Sequence, residues 1–416
     1  MKIAIKDINS SVKYLYILFI ILLSKTVYFG LVNEYVTTAI VILLVFLLLL
    51  SNPSCQKNNI KSIIVFIGIH IMLACLNFKS IDSGFLLSIA KRIVYLMVGF
   101  IAAMILKRNE LKKIYVNILC GISIISLMCK IVQLLNPGYV SSICTYVSLP
   151  QRYYYTFFYT FGRTSSYDIR NYGPFWEPGG YQIFLNIALL FLIFGDHKSK
   201  NLKLLLLVGT IATTGSTAGY IVLLIILLFS YKEMNLDIFK GKNAIFFVAI
   251  LIIGLVVMFS GNINGKLTLS ETNSSLRDRL VDLQYGIELV KTHPLIGYGT
   301  TNLATENVNN IYYANSNGIL SLAFSFGIPY ACLFIYYIVK GFTELLQVKK
   351  KKYVVMIILV ILIIFITEES NALAVMYCFL YNYKNDKLAF ATDESNYVMR
   401  GERTHENINY YSLQKF

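Results

Sequence analysis

Long apolar runs separated by short polar links fill the chain from Tyr14 to Tyr383. A helix of predominantly apolar residues crosses a bilayer when it holds about 20 of them. The runs predict spans near 14–32, 36–51, 62–78, 85–106, 114–135, 181–195, 203–213, 217–231, 244–260, 316–339, 353–366 and 371–383. Several, notably 203–213 and 371–383, are short for a crossing. The expected fold is an all-α integral membrane protein, a polytopic helical bundle of about 12 (10–12) transmembrane helices with two long outer-face loops. The corresponding division is 1–135 (helices one to five), 136–180 (first outer loop), 181–260 (helices six to nine), 261–315 (second outer loop), 316–383 (helices ten to twelve) and 384–416 (tail).

The charges of the short links orient this map. Lys57 and Lys61, then Lys107, Arg108, Lys112 and Lys113, then Lys198, Lys200 and Lys203 fall on alternate links. Lys232, Lys240 and Lys242, and finally Lys340 and Lys349 to Lys352, fall on the same side as the N-terminal Lys2, Lys6 and Lys13. Basic short loops mark the cytoplasmic face, so both termini are expected inside. The opposite face receives the loops 136–180 and 261–315, which are too long to serve only as connectors. The polar tail after Lys384 is expected to be poorly ordered. No small-residue cleavage site follows the first run, which reads as a retained helix.

Composition agrees with a chain in lipid: 56% of residues are hydrophobic, 14% are charged, and mean hydropathy is +0.63. A net charge of +15 would suggest nucleic acid in a soluble protein. Here lysines facing anionic lipid account for it, and no nucleic-acid partner is expected. The seven cysteines sit singly, without the spacing of a metal site or disulfide framework.

One stretch breaks the apolar pattern with unusual chemistry. Arg170-Asn171-Tyr172-Gly173-Pro174-Phe175-Trp176-Glu177-Pro178-Gly179-Gly180 holds the only tryptophan, two of seven prolines, an arginine and a carboxylate, directly before an apolar helix. Proline fixes φ and glycine frees it, so the segment reads as a shaped turn at a helix entrance, either structural or chemical. Upstream, Tyr153 to Tyr155 and Phe157 to Tyr159 have the density of an interfacial aromatic belt. Arg152, Arg163 and Arg170 lie on a loop without lysine, which suits bidentate binding of phosphate oxygens; ordinary solvated charges are the alternative.

Further along, Thr213 to Gly219 interrupts two short apolar runs with small hydroxylated residues, suited to close helix packing or a broken helix. Ser275 and Asp278 match a capping box, and Leu276, Leu280, Leu283, Ile287 and Val290 share one helical face ending at His293-Pro294. Arg277 and Arg279 fall in its first turns, where the helix dipole disfavours cations; an anionic partner, or Asp278 and Asp282, would compensate. Polar clusters at Asn315 to Gly318 and Thr367 to Asn371 lie on the outer face of the map. Lys91 and Arg92 lie within a span; such charges are functional by default unless they snorkel.

Four of these segments carry a family resemblance: Arg170-x-x-Gly173-x-Phe175-x-Glu177-Pro178, the Gly215-Ser216-Thr217 break, Thr292-His293-Pro294-Leu295-Ile296-Gly297-Tyr298-Gly299, and Ser316-Asn317-Gly318-Ile319-Leu320 running on to Gly327. Together they resemble the O-antigen polymerase and ligase superfamily, integral membrane glycosyltransferases acting on lipid-linked bacterial polysaccharides. The Glu-Pro-Gly form is more similar to the Wzy-type polymerases. Ligases of the superfamily usually place a His-Asn pair where this chain has Ser316-Asn317.

The resemblance implies repeat-unit polymerisation at the outer face of the bacterial cytoplasmic membrane, for O-antigen, capsule or exopolysaccharide. Donor and acceptor are then undecaprenyl-diphosphate-linked oligosaccharides, with membrane lipid, a chain-length regulator and a flippase as companions, and no cofactor or metal is called for. A diphosphate leaving group needs cations near it, and an acceptor hydroxyl needs a proton acceptor. Glu177 and Arg170 are accordingly the expected catalytic residues. Arg163, Arg277, Arg279, Arg92, Trp176 and Asn317 are the expected substrate-binding residues. Glu177 can equally pair with an arginine and only fix the turn, and His293 reads first as a helix stop. A ligase-type transferase and a lipid-linked oligosaccharide flippase are the alternatives; the latter needs midplane polar groups, which the runs at 36–51, 244–260 and 353–366 largely lack.

Overall fold

The computed structural model describes residues 2–49, 57–77, 83–148, 152–163, 170–233, 274–299 and 315–384. Its centre is a helix α7 (Pro178–Ile193) on which almost every side chain is buried. Such a helix is apolar all round because it has neighbours all round. The neighbours are α5 (Arg108–Leu135), α8 (Lys200–Thr213) and α9 (Thr217–Ser230). Around them lie α1 (Lys2–Leu23), α2 (Glu34–Leu49), α3 (Lys57–Leu76) and α4 (Ser83–Ile105). A short α6 (Pro137–Ile143) folds back from α5, with the Asn136 side chain accepting from the Tyr139 amide at 3.1 Å.

The expected bundle of about twelve transmembrane helices is corrected. Among the described residues, three helical segments are long and apolar enough to cross a membrane: Asn59–Leu76, Phe85–Ile105 and Arg108–Leu135. They support a multi-pass membrane protein. The reason for the smaller number is that hydropathy counts apolar residues without seeing where the backbone breaks. The runs 181–195, 203–213 and 217–231 become helices of 16, 14 and 14 residues, or about 21 to 24 Å at 1.5 Å per residue, short of a hydrocarbon core of about 30 Å.

The run 316–339 is cut at Gly327 into α11 (Gly318–Phe326) and α12 (Ile328–Leu346). After α13 (Lys351–Thr367), the run 371–383 is a series of single turns, with α14 (Ala374–Tyr377) between two 3-10 turns. The span expected at 244–260 lies outside the described residues, as does the tail from 385.

The chain is also not all-α. Residues of the first long loop form an antiparallel sheet of β1 (Thr145–Ser148), β2 (Arg152–Tyr155) and β3 (Thr160–Arg163) in the order β1-β2-β3. Tyr153 pairs with Arg163 across β2 and β3, so the aromatic run serves strand pairing as well as any interface. The amphipathic pattern after Ser275 appears as α10 (Ser274–Thr292), which stops where His293-Pro294 begins.

Candidate active site

Tyr172 and Phe175 are fully buried, and Phe175 stacks on Tyr181 and Phe184 with ring centroids 5.4 and 4.3 Å apart. These aromatic contacts hold the Arg170–Gly180 turn on the entrance of α7. The turn is also stitched to the segment after α1: the Val27 amide donates to the Pro174 carbonyl at 3.0 Å, and Thr26 bridges Phe175. Glu177 occupies the N-cap position in an extended conformation, yet its carboxylate does not cap the helix. It accepts instead from Trp176 Nε1 at 2.7 Å and faces the Arg163 guanidinium at 4.0 Å.

A second carboxylate completes the site. Glu368, directly after α13, is 5% exposed and lies in the field of Glu177. Its carboxylate packs on the Cα of Gly179, where any β-carbon would overlap the Glu368 oxygen. A side chain at this position would displace the Glu368 carboxylate. Burial, with the like charge of Glu177 beside it, pushes the Glu368 carboxyl well above the ordinary carboxylate range, against the opposing pull of Arg279 and Lys25.

Cations ring the pair. Lys25 Nζ bonds Glu369 Oε2 at 3.0 Å and lies 5.9 Å from the Trp176 ring centre. Burial works against the Lys25 charge, but the Glu369 carboxylate and its hydrogen bond prevail and its pKa is raised. Tyr153, buried on β2, sits in the fields of Arg163, Glu177 and Lys25, and burial raises its phenol.

The structure thus brings together Trp176, Glu177 and Arg163, with Arg279 from α10 acting on the neighbouring Glu368. Arg170 is held at the base of the turn: it donates to Tyr172 Oη at 3.1 Å and packs over Gly215, tying the turn to the break between α8 and α9. Arg92 staples the 368–380 segment, donating to the Asn371 carbonyl at 3.2 Å and to Tyr377 Oη at 2.9 Å, with Phe326 under its guanidinium. The side chain of Arg277 lies outside the described residues. Asn317 is the N-cap of α11, accepting from the Ile319 and Leu320 amides, each at 3.1 Å. Asn317→Ala is expected to cost about 1 kcal/mol of stability. Thermal unfolding of the purified variant should show the loss, with Asn317→Ser retaining most of the cap.

Sequence reasoning did not place Lys25, Glu368 or Tyr153 in the site. The Thr367–Asn371 cluster stands out as polar, but nothing local says that it folds against Glu177. His293-Pro294 and Gly297 also gain a place here. The Pro294 carbonyl accepts from the Ile328 amide at 2.8 Å, and the Tyr298 and Gly299 amides donate to Phe324 and Ser325 carbonyls at 2.8 and 2.7 Å. The motif thereby satisfies the carbonyls that α11 leaves at its broken end.

Residues 202–335 match the O-antigen ligase family. The match runs from α8 into α12, about a third of the chain, and takes in Arg279, His293 and Asn317. It supports membership in the O-antigen ligase and polymerase superfamily, and with it a membrane-associated, polysaccharide-related role. No curated protein and no solved structure matches the chain. Trp176, Glu177 and Glu368 lie outside the matched region, but Arg279 inside it acts on Glu368.

Proposed function

We propose that the chain is a repeat-unit polymerase, a membrane glycosyltransferase joining oligosaccharides carried on undecaprenyl diphosphate at the outer face of the bacterial cytoplasmic membrane. The observation that carries this reading is the half-buried carboxylate Glu177 facing Arg163, with Lys25 over the Trp176 ring that donates to it and the buried Glu368 beside it in the fields of Arg279 and Lys25. In the reaction, an acceptor sugar hydroxyl attacks the anomeric carbon of the donor glycan. Its proton passes to Glu177, and the bond from that carbon to the diphosphate breaks, leaving the electron pair on the carrier. Arg163, Arg279 and Lys25 supply positive charge where the diphosphate develops its own negative charge. Glu177 acts as general base, aimed by Trp176 Nε1–H.

The ligase reading is favoured by the description of the matching family. Against it stands Ser316-Asn317 in place of a His-Asn pair. A deletion strain complemented with wild type or Arg163→Ala separates the readings when its carrier-linked glycans are sized. A polymerase defect leaves single repeat units on the carrier at the outer leaflet. Finished polymer accumulating on the carrier would instead establish the ligase reading, and units trapped at the inner leaflet would establish a flippase.

A further inference from the structure

A line of hydrogen bonds runs from Arg92 on α4 to Lys25 at the site. Arg92 and Tyr377 Oη both donate to the Asn371 carbonyl, at 3.2 and 3.1 Å. The Asn371 side chain donates to Ser321 Oγ on α11 at 3.3 Å, and Ser321 Oγ donates to Glu369 Oε1 at 3.3 Å. Glu369 Oε2 accepts from Lys25 Nζ at 3.0 Å. The direction follows from the groups themselves. An ionised carboxylate only accepts and a hydroxyl has one proton, so Ser321, accepting from Asn371, gives its own to Glu369. Arg92, Asn371 and Ser321 are buried, so the carboxylate is held by groups for which water does not compete.

Lys25 sits at the other end in an uncommon backbone conformation. Its φ is 60°, the left-handed region that a lysine seldom enters. Such a conformation persists where the surrounding structure dictates it, and it clusters at functional sites. The side chain is 33% exposed, and Nζ lies 5.9 Å from the centre of the Trp176 ring, whose Nε1 bonds Glu177. An ammonium has three N–H donors, of which Glu369 takes one among the described residues. The others can meet phosphate oxygens.

We infer that Glu369 is a positioning residue: it clamps Lys25 so that the ammonium meets a phosphate oxygen of the carrier diphosphate, and Ser321, Asn371 and Arg92 hold the clamp in place. The role of Lys25 rests on the polymerase reading, whereas the clamp itself does not. A carboxylate beside a lysine can also act in the opposite sense. As a bare counter-ion it would compete with phosphate for the ammonium, and its loss would tighten anion binding. As a clamp, its loss frees a flexible four-carbon stem that must then be ordered on binding, and anion binding weakens.

Inorganic pyrophosphate is the probe that reads this sign, by equilibrium dialysis against the purified full chain in detergent. Lys25→Met and Glu369→Ala should each weaken binding about tenfold, the worth of one hydrogen bond to a charged group. The double variant should bind no more weakly than Lys25→Met, because without the lysine Glu369 has nothing to place. A residue that only supported the fold would weaken binding equally in both backgrounds.

Tighter binding by Glu369→Ala, or additive losses in the double variant, would overturn the inference. So would a wild type without saturable binding, or a Lys25→Met chain that binds as tightly as wild type. Should Glu369→Ala fail to fold, Ser321→Ala provides the second check. Releasing Oε1 should weaken binding when Lys25 is present and not in the Lys25→Met background; an unchanged affinity would overturn the proposal. Dialysis needs no turnover, so the clamp and the polymerase reading fail separately. If the variants behave as expected but no polymer forms from lipid-linked repeat units, the clamp stands and the polymerase reading falls.

Discussion

Glu177→Gln is expected to lower the rate of glycan polymerisation by at least about 100-fold, the lower bound for losing a positioned general base. Glutamine preserves the size of the side chain and can still accept from Trp176 Nε1, so the 2.7 Å contact and the local fold should persist. What is lost is the capacity to take a proton from the acceptor hydroxyl. The loss should therefore fall on kcat, with the apparent affinity for the lipid-linked donor changed far less, because Arg163, Arg279 and Lys25 remain. Steady-state kinetics on the purified variant with a lipid-diphosphate-linked repeat unit would show this split. A variant that lost affinity at unchanged kcat would make Glu177 a binding or loop-fixing group, the other role the sequence left open for it.

The second large effect concerns the fold beneath the site. Gly327→Ala is expected to remove about 3 kcal/mol of stability. Gly327 has φ 89° and ψ 156°, a region that side chains other than hydrogen essentially do not enter, at a cost of roughly 1–3 kcal/mol. A β-carbon would also overlap the Leu295 carbonyl oxygen, and overpacking costs about 1–3 kcal/mol more. The neighbour cannot retreat, because the adjoining backbone is held by the Ile328-to-Pro294 and Tyr298-to-Phe324 hydrogen bonds, both 2.8 Å. Thermal unfolding of the detergent-solubilised variant checks this; melting at the wild-type temperature would show that the α11 to α12 junction carries no such constraint.

These two residues illustrate what local sequence conveys. The turn around Trp176 and Glu177 is legible because aromatic, acidic, basic and ring-constrained residues crowd a segment that no periodicity explains. Its packing follows from the same residues, since Phe175 has Tyr181 and Phe184 to stack on. Glu368 is not legible as its partner, because adjacency across the fold leaves no local trace. The only hint is Gly179, read as part of a flexible turn when its lack of a side chain is what admits a carboxylate.

Lys25 was hidden for a different reason: it falls inside the run expected to span over 14–32, whereas α1 ends at Leu23 and Lys25 bonds Glu369 beside the site. The helix count failed most widely. Gly327 and the turns after Ser370 interrupt runs whose composition alone would have spanned a membrane, and backbone breaks of that kind do not register in hydropathy. Arg92 shows both sides of the problem. Its burial within an apolar segment marked it as unusual, and its partners, the Asn371 carbonyl and Tyr377 Oη, bind it to the segment that carries Glu368.

The most direct measurement is to reconstitute the purified chain in lipid vesicles with a single substrate, an undecaprenyl-diphosphate-linked repeat unit, and to size the carrier-linked products. The polymerase account predicts a ladder of multiples of the repeat unit, with free undecaprenyl diphosphate released at each step. Substrate that stays at one repeat unit with active-site residues intact and the protein folded would contradict it.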